Sequence, residues 1–386
     1  MSLRQLKTIS ERRKYLEEKL KLKLSATAIF PQGLNDAQYK NCENMIGCTQ
    51  VPLGIAGPLK ITGNYAKGNY YLPLSTTEGA LVASVNRGCK AVTLSGGVTA
   101  FCLDVGITRG AVFKTGNIKQ SVSLQKFLEE NISLLKKKAS STSSHLQLIG
   151  LKIKIVGKFV FVRFNFDSQE AMGMNMATIA ADKLVRIISE KTQNRCLSLA
   201  ANFDIDKKPS YLNFLEGRGR QVMAEAIITE SVVRQVLKTS PQKIDEVAKV
   251  KCYLGSIVAG SLGFNAHYAN IIAALFISTG QDVAHVAEGS IGITSTEIVD
   301  SNLYISVSLP DLPLGTVGGG TLLPSQQESL KILKVTKGVK GEKSRALAEI
   351  IAAAVLAGEL SLLSALSVGS LSESHQKFAR AKIKQG

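Results

Sequence analysis

Tryptophan is absent from this chain of 386 residues, and its six cysteines include no CxxC pair. Scattered cysteines speak against a disulfide scaffold, an iron–sulfur site or a zinc ribbon, each of which needs a patterned set of thiols. The opening stretch, MSLRQLKTISERRKYLEEKL, has no apolar h-region, so no signal peptide is expected. Nor is there a long tail of one charge, although 47 basic against 30 acidic residues leave a formal +17. The nearest basic run, Arg12 to Lys23, is mixed with Glu and reads as an amphipathic helix face. Specific nucleic-acid binding is therefore not expected. A surface of this sign equally suits a small polyanionic substrate or cofactor. Two apolar stretches fall short of a membrane span: Ala269 to Ile277 is too short, and Ile350 to Val368 is interrupted by Glu359. Both read as buried helices of a soluble, cytoplasmic protein. With 45% hydrophobic residues and 33 glycines, the chain is rich enough for a core and long enough for two or three domains.

Residues 1 to about 30 carry a helical spacing that ends at Pro31, and Glu43 to Gly63 is Gly- and Pro-rich, ordered loop with short strands. Ser75-Thr76-Thr77-Glu78 precedes a small-residue run that a Ser or Thr cap would start as a helix. From Ala111 to about Ala200 the texture changes. A strand candidate at Ala111–Lys114, a helix at Val122–Lys138, a hairpin over Leu146–Asn165, a helix at Ala177–Glu190 and a strand at Arg195–Leu199 follow one another. That β-α-β-β-α-β order is the split βαβ pattern of a ferredoxin-like domain, inserted between Gly-rich flanks. Beyond it the spacing predicts helices at Val222–Leu237 and Ser261–Thr279, a strand at Leu303–Leu309 and a long Ala/Leu helix at Ala346–Val368.

Several clusters can carry chemistry. Glu170-Ala171-Met172-Gly173-Met174-Asn175-Met176 follows a strand and opens a helix, where glycine permits close approach and free N–H groups favour phosphate. It is not GxGxxG, and a Met-rich packing turn would read the same. In Asp204-Ile205-Asp206-Lys207-Lys208-Pro209-Ser210, a lysine held against a carboxylate away from water can stabilise an oxyanion; a solvated turn is the other reading. His267 and Asn270, three apart on the small-residue helix, share a face where polar groups need partners or a ligand. Asp282, after the helix-ending Gly280, is placed to orient a lysine or share a proton with Glu78. His267, His285 and Asp282 make no zinc signature, so no metal is expected. Gly315 to Thr321 is a flexible turn, and His375, in a polar tail, has a side chain suited to proton donation.

These motifs occur in one order: ENMIG then PLGIAGPL, STTEGALVAS, EAMGMNM, DKKPS with EGRGR, GFNAHYANI, GQD, GTVGGGT, AGELSLLSAL and the late His375. Together, over roughly residues 30 to 380, they closely resemble the catalytic domain of 3-hydroxy-3-methylglutaryl-coenzyme A (HMG-CoA) reductase, nearest to class I and to its compact archaeal form. The resemblance implies a two-step, four-electron reduction of the HMG-CoA thioester to mevalonate, with two NADPH consumed and CoA released. Glu78, Lys207, Asp282 and His375 match the catalytic quartet. Lys207 would stabilise the substrate oxygen, Glu78 or Lys207 would pass a proton to it, Asp282 would hold their network, and His375 would protonate the CoA thiolate. Arg109, Asn202, Asp206, Lys208, His267 and Asn270 fall near the HMG group, and Glu43 begins the CoA-binding stretch. Glu170, Ala171, Met172, Gly173, Met174 and Asn175 fall on the NADPH-binding segment, with Gly318, Gly319 and Gly320 beside the nicotinamide.

The same resemblance implies an α+β fold. A small helical N-terminal domain (1–40) precedes a large substrate- and CoA-binding domain (41–110 and 200–370) built around a central helix. The ferredoxin-like NADP-binding domain (111–199) is inserted in it, and a mobile segment (371–386) carries His375. A homodimer with shared active sites, sometimes a dimer of dimers, and no membrane or nucleic-acid partner are also implied. Three positions depart from the pattern: Glu170 replaces the usual Asp, Ala200 a serine near the substrate, and Ala381 a phosphorylated serine of animal enzymes. The alternatives are a class II-like oxidation of mevalonate with NAD and an inactive CoA- or nucleotide-binding protein.

Overall fold

Chain order in the computed structural model, which describes residues 3–369, begins with α1 (Ile9–Leu20). Thr8 and Glu11 cap it reciprocally, side chain to backbone in both directions. Strands β1 (Leu53–Gly63) and β2 (Lys67–Ser75) form an antiparallel pair, followed by α2 (Leu81–Leu94) and the long β3 (Val98–Lys114). Next come α3 (Ile118–Glu130), α4 (Ile132–Ser140), the hairpin β4 (Gln147–Val156) and β5 (Phe159–Asp167), α5 (Met174–Thr192) and β6 (Arg195–Ser198). The remainder is α6 (Tyr211–Glu216), β7 (Arg218–Ile228), α7 (Pro241–Ala248), β8 (Gly263–Phe264), α8 (Tyr268–Thr279), β9 (Gly292–Val299), β10 (Asn302–Leu312), α9 (Pro324–Ile332) and α10 (Glu342–Ser367). His375 and the 371–386 segment lie outside the described residues.

β3 is the hinge of the architecture. Its first half sits in the order β2-β1-β3-β7-β10-β9-β8, and its second half lies between β5 and β6, with β4 beyond β5. The strand runs unbroken past Ala111 and so belongs to both sheets. Behind the second sheet, Leu124, Leu128, Leu135, Ala180, Leu184 and Ile188 close one core against Phe113, Val162 and Phe164. The other core is organised around α10.

α10 is the one described helix long and apolar enough to cross a membrane, yet it is buried within the protein. Its two interior acids explain how. Glu349 accepts the N–H groups of Asn64, Tyr65 and Ala66, and Glu359 accepts those of Ala266 and His267 together with the Thr294 hydroxyl. Buried carboxylates with several donors each tie neighbouring turns to the helix. Gly88 of α2 lies against the Ala357 backbone of α10, and any Cβ there would overlap it.

Three expectations change. Residues 222–228 are strand, because Val222, Ala224, Ala226 and Ile228 are buried while Met223 and Ile227 face out. That is a period of two, which the alanines disguise as helix propensity. Ser261–Thr279 is not one helix: α8 starts at Tyr268, and Glu359 holds the preceding loop. His267 therefore precedes the helix that carries Asn270. Finally, the residue before α2 is Ala80 in a left-handed conformation, with no Ser or Thr side chain capping the helix.

Candidate active site

A cavity of about 660 Å³ opens between the two sheets. One side is the turn Ala171–Met176 at the start of α5, and the facing side is Gly315 to Thr321. The two strips are zipped together: Ala171 bridges Val317 in parallel register, and the Thr316 N–H donates to Glu170 O at 2.7 Å. Gln281 clamps the second strip by giving Nε2–H to Gly315 O and accepting Gly315 N–H, both at 2.9 Å. Gly173 stands at φ 94°, where a side chain would also run into Ser168, so the turn requires glycine. No side chain caps α5, leaving its first N–H groups for a ligand.

The third side is the 202–208 loop. Asn202, Ile205 and Lys207 have φ of 58°, 50° and 59°, and for β-branched Ile205 this is real strain. Thr108 Oγ1 donates to Asp204 O at 2.9 Å, and Asn213 Nδ2 donates to Ile205 O at 3.1 Å. The Lys207 N–H donates to Glu288 Oε1. At its other end Lys207 Nζ reaches Asp282 Oδ2 at 2.7 Å. The hydrogen-bonded Asp282 carboxylate pushes the ammonium above its ordinary pKa, against the smaller effect of partial burial. Burial alone would raise Asp282, but the Lys207 ammonium, the Ala284 N–H and His285 together hold it below the usual carboxylate range. Lys207 thus stays cationic at neutral pH: it can stabilise negative charge on oxygen and does not act as a free amine.

Beneath the loop lies a buried ionic layer. Arg218 and Glu288, both completely buried, pair at 2.6 Å through Nη1 and Oε2. The second arm of Arg218 donates to Asp206 Oδ1 at 2.8 Å, and its Nε–H to Thr108 Oγ1 at 2.8 Å. His285 Nδ1 lies 3.1 Å from Glu288 Oε1. Asp311, also completely buried, accepts Asn213 Nδ2–H at 2.7 Å. Burial and the adjacent Glu288 drive the Asp311 carboxyl well above its usual range. Glu288 goes the other way: burial is outweighed by the contact with His285 and the Arg218 guanidinium. Of the two, Asp311 is therefore the group that holds a proton more readily. Asp206, His285 and Glu288 have possible ligand atoms within 4.8 Å of one another, a spacing compatible with a metal ion. Here the Arg218 guanidinium already bonds both carboxylates and supplies the positive charge.

The family model for hydroxymethylglutaryl-coenzyme A reductase matches residues 8–380. The chain belongs to that family. The HMG-CoA reductase of Methanocaldococcus jannaschii is 47% identical over 376 residues, which are 96% of this chain and 92% of that protein. That of Pyrococcus horikoshii is 47% identical over 374 residues, 96% and 91% of the two chains. HMG-CoA reductase 1 of Hevea brasiliensis is 44% identical over 349 residues, 88% of this chain but 60% of the plant protein. Among solved structures, the class II HMG-CoA reductase of Streptococcus pneumoniae bound to NADPH superposes with a TM-score of 0.70. It covers 93% of this chain and 97% of that one at 20% identity, a likeness of fold.

The residues expected from this reductase family divide into three groups. Arg109, Ala171, Met172, Gly173, Met174, Asn175, Asp206, Lys207, Asp282, Gly318, Gly319 and Gly320 all line the one cavity. Arg109 stands 3.4 Å from Asp204, a carboxyl raised by burial despite that guanidinium. Glu78 and Asn270 form a separate pair, with Asn270 Nδ2 donating to Glu78 Oε2 at 2.8 Å, and neither lines the cavity. Glu43, Asn202, Lys208 and His267 also stand outside the lining; the buried Nε2 of His267 has no hydrogen-bond partner among the described residues. Glu170 is a further departure. Its carboxylate accepts the N–H groups of Lys343 and Ser344 and the Thr316 hydroxyl, so it caps α10 behind the cavity wall. Residue patterns did not single out Arg218, Glu288, Asp311 or Asp204 for a role, although EGRGR and the residues after GQD contain two of them.

Proposed function

We propose that this enzyme reduces (S)-HMG-CoA to (R)-mevalonate and CoA, through mevaldyl-CoA and mevaldehyde, with NADPH as reductant in isoprenoid biosynthesis. The observation that carries the reading is the Lys207–Asp282 pair, at 2.7 Å, opening into a cavity walled by Ala171–Asn175 and Gly318–Gly320. When bound, NADPH supplies hydride. The uncapped start of α5 suits its phosphates, and the glycine strip leaves room for a planar ring. Lys207 holds the thioester oxygen as negative charge develops, and again the aldehyde oxygen in the second reduction. Asp282 orients that ammonium. Arg109 and Asp206 face the same space and suit the polar end of the HMG group. Glu78 is the proton donor and His375 the acid for the departing thiolate.

Glu78 does not line the cavity of its own chain, which supports sites shared across a homodimer, with a dimer of dimers as the larger form. The antiparallel order β4-β5-β3-β6, with α3–α4 and α5 in the crossovers, supports a ferredoxin-like cofactor domain over 111–199. The remaining boundaries follow from it: helical 1–40, a large domain of 41–110 and 200–370, and 371–386 carrying His375. Higher identity to archaeal reductases than to the class II structure supports the class I reading. Burial of α10 supports a soluble, cytoplasmic enzyme. Stoichiometry tests the function: two NADPH oxidised per mevalonate formed, with little use of NADH, is the expected result. Preference for NADH would transfer the chain to the class II-like reading, and no turnover with either to a binding protein.

A further inference from the structure

We propose that Glu288, held by Arg218, is a positioning residue for Lys207: its buried carboxylate fixes the left-handed peptide of Lys207 and so sets where the ammonium stands over the cavity. The proposal rests on the reading of Lys207 as the group that stabilises the substrate oxygen. Lys207 is anchored at both ends. At the tip, Nζ meets Asp282, a half-exposed partner that a long flexible side chain can reach from several backbone positions. The root decides which of those positions is used. There the φ of 59° is one that a non-glycine residue leaves unless its surroundings hold it. Among the described residues, the bond made by the Lys207 peptide itself is its N–H donated to Glu288 Oε1. A carboxylate acceptor makes that bond stronger than a neutral one would.

Glu288 is itself locked. Arg218 meets its other oxygen at 2.6 Å, and His285 Nδ1 lies 3.1 Å from Oε1. Arg218 then reaches Asp206, the residue before Lys207, and through the Thr108 hydroxyl the Asp204 carbonyl. One ion pair therefore pins the loop at 204, 206 and 207. Neither Glu288 nor Arg218 lines the cavity, so the pair acts on chemistry only through the loop. A rigid second layer of this kind matters because misplacing a reacting group by about 1 Å can cost about 10²-fold in rate.

The test is steady-state kinetics of the whole enzyme carrying Glu288→Gln, which keeps the shape and removes the charge. The expected result is a kcat lowered about 30- to 100-fold, with KM for HMG-CoA and NADPH within about threefold and wild-type circular dichroism. A kcat within about twofold of wild type overturns the proposal, as does a loss that resides in KM. If Glu288→Gln does not fold, Thr108→Val decides, since it removes only the Arg218–Thr108–Asp204 link. It should lower kcat about 3- to 10-fold at unchanged KM, and an unchanged kcat overturns the proposal. Lys207→Ala separates the two layers of the argument. An inactive Lys207→Ala beside a fully active Glu288→Gln sinks the role of Glu288 alone. An active Lys207→Ala sinks the reading of Lys207, and this proposal with it.

Discussion

Under Lys207, Arg218, Glu288 and Asp311 are completely buried and the first two are paired, whereas the opposite side of the cavity is mostly glycine, alanine, methionine and paired backbone. The ionic floor holds a single charged atom at the end of a long side chain. The neutral wall leaves space, offers N–H groups and repels nothing. An oxyanion needs the first, because electrostatic stabilisation works only from a fixed position. A large, flat, phosphate-bearing ligand needs the second. Breaking the floor should therefore damage folding and turnover together. Breaking the wall should register chiefly in cofactor affinity.

The largest effect is expected from Arg218→Met. It leaves Glu288 as an uncompensated buried anion and takes the partner from half-buried Asp206, at a cost of about 3–5 kcal/mol read by chemical denaturation. A wild-type midpoint would show that the layer is not holding the loop. On the wall, Gly173→Ala forces a side chain into φ 94° and against Ser168. The expected cost is about 1–3 kcal/mol of stability and a KM for NADPH raised several-fold, with KM for HMG-CoA unchanged; equal rises in both would erase the distinction between floor and wall. Asp311 sharpens the comparison from inside the floor. Its carboxyl is pushed towards the neutral acid, which an amide mimics, so Asp311→Asn should cost under about 1 kcal/mol and Asp311→Ala about 1–3 kcal/mol. A large loss on Asp311→Asn would mean that Asp311 is ionised.

The smallest expected effect is a displacement of a pH profile. Asp282 lies below its ordinary pKa, so what the pair contributes is complete above the ordinary value and fades as pH falls through the lowered one. Lys207 lies above its own, so the contribution is complete below the ordinary lysine value and fades as pH rises through the raised one. In Asp282→Asn the main cause of the lysine's rise is gone. The alkaline limb of residual kcat should begin at lower pH than in wild type, and an unmoved limb would remove Asp282 as that cause.

Much of this was legible in the chain. The hairpin and helices of residues 118–198 carry clean periodicity, and their boundaries fall within a few residues of expectation, except that the one helix expected over 122–138 is two, α3 and α4, parted at Asn131. Residues 222–228 do not, because alanine satisfies a helix and a buried strand alike until the neighbouring strands choose. Glu170 shows the same limit at the site. Its motif is shared with the cofactor turn, but its carboxylate is directed at α10, 173 and 174 residues further along the chain. No local spacing encodes that.

By itself the sequence determined the order of the motifs, the chemistry available in each and the family they belong to. It also determined that Glu359 interrupts an apolar helix meant for a protein interior. Only the tertiary structure decided that Lys207 and Asp282, seventy-five positions apart, would touch, and that Glu78 would stand elsewhere. It alone decided that Arg218, Glu288 and Asp311 would lose all contact with water. The reason is physical: residue type and spacing are local, whereas desolvation and Coulomb attraction depend on which distant segments enclose a charge.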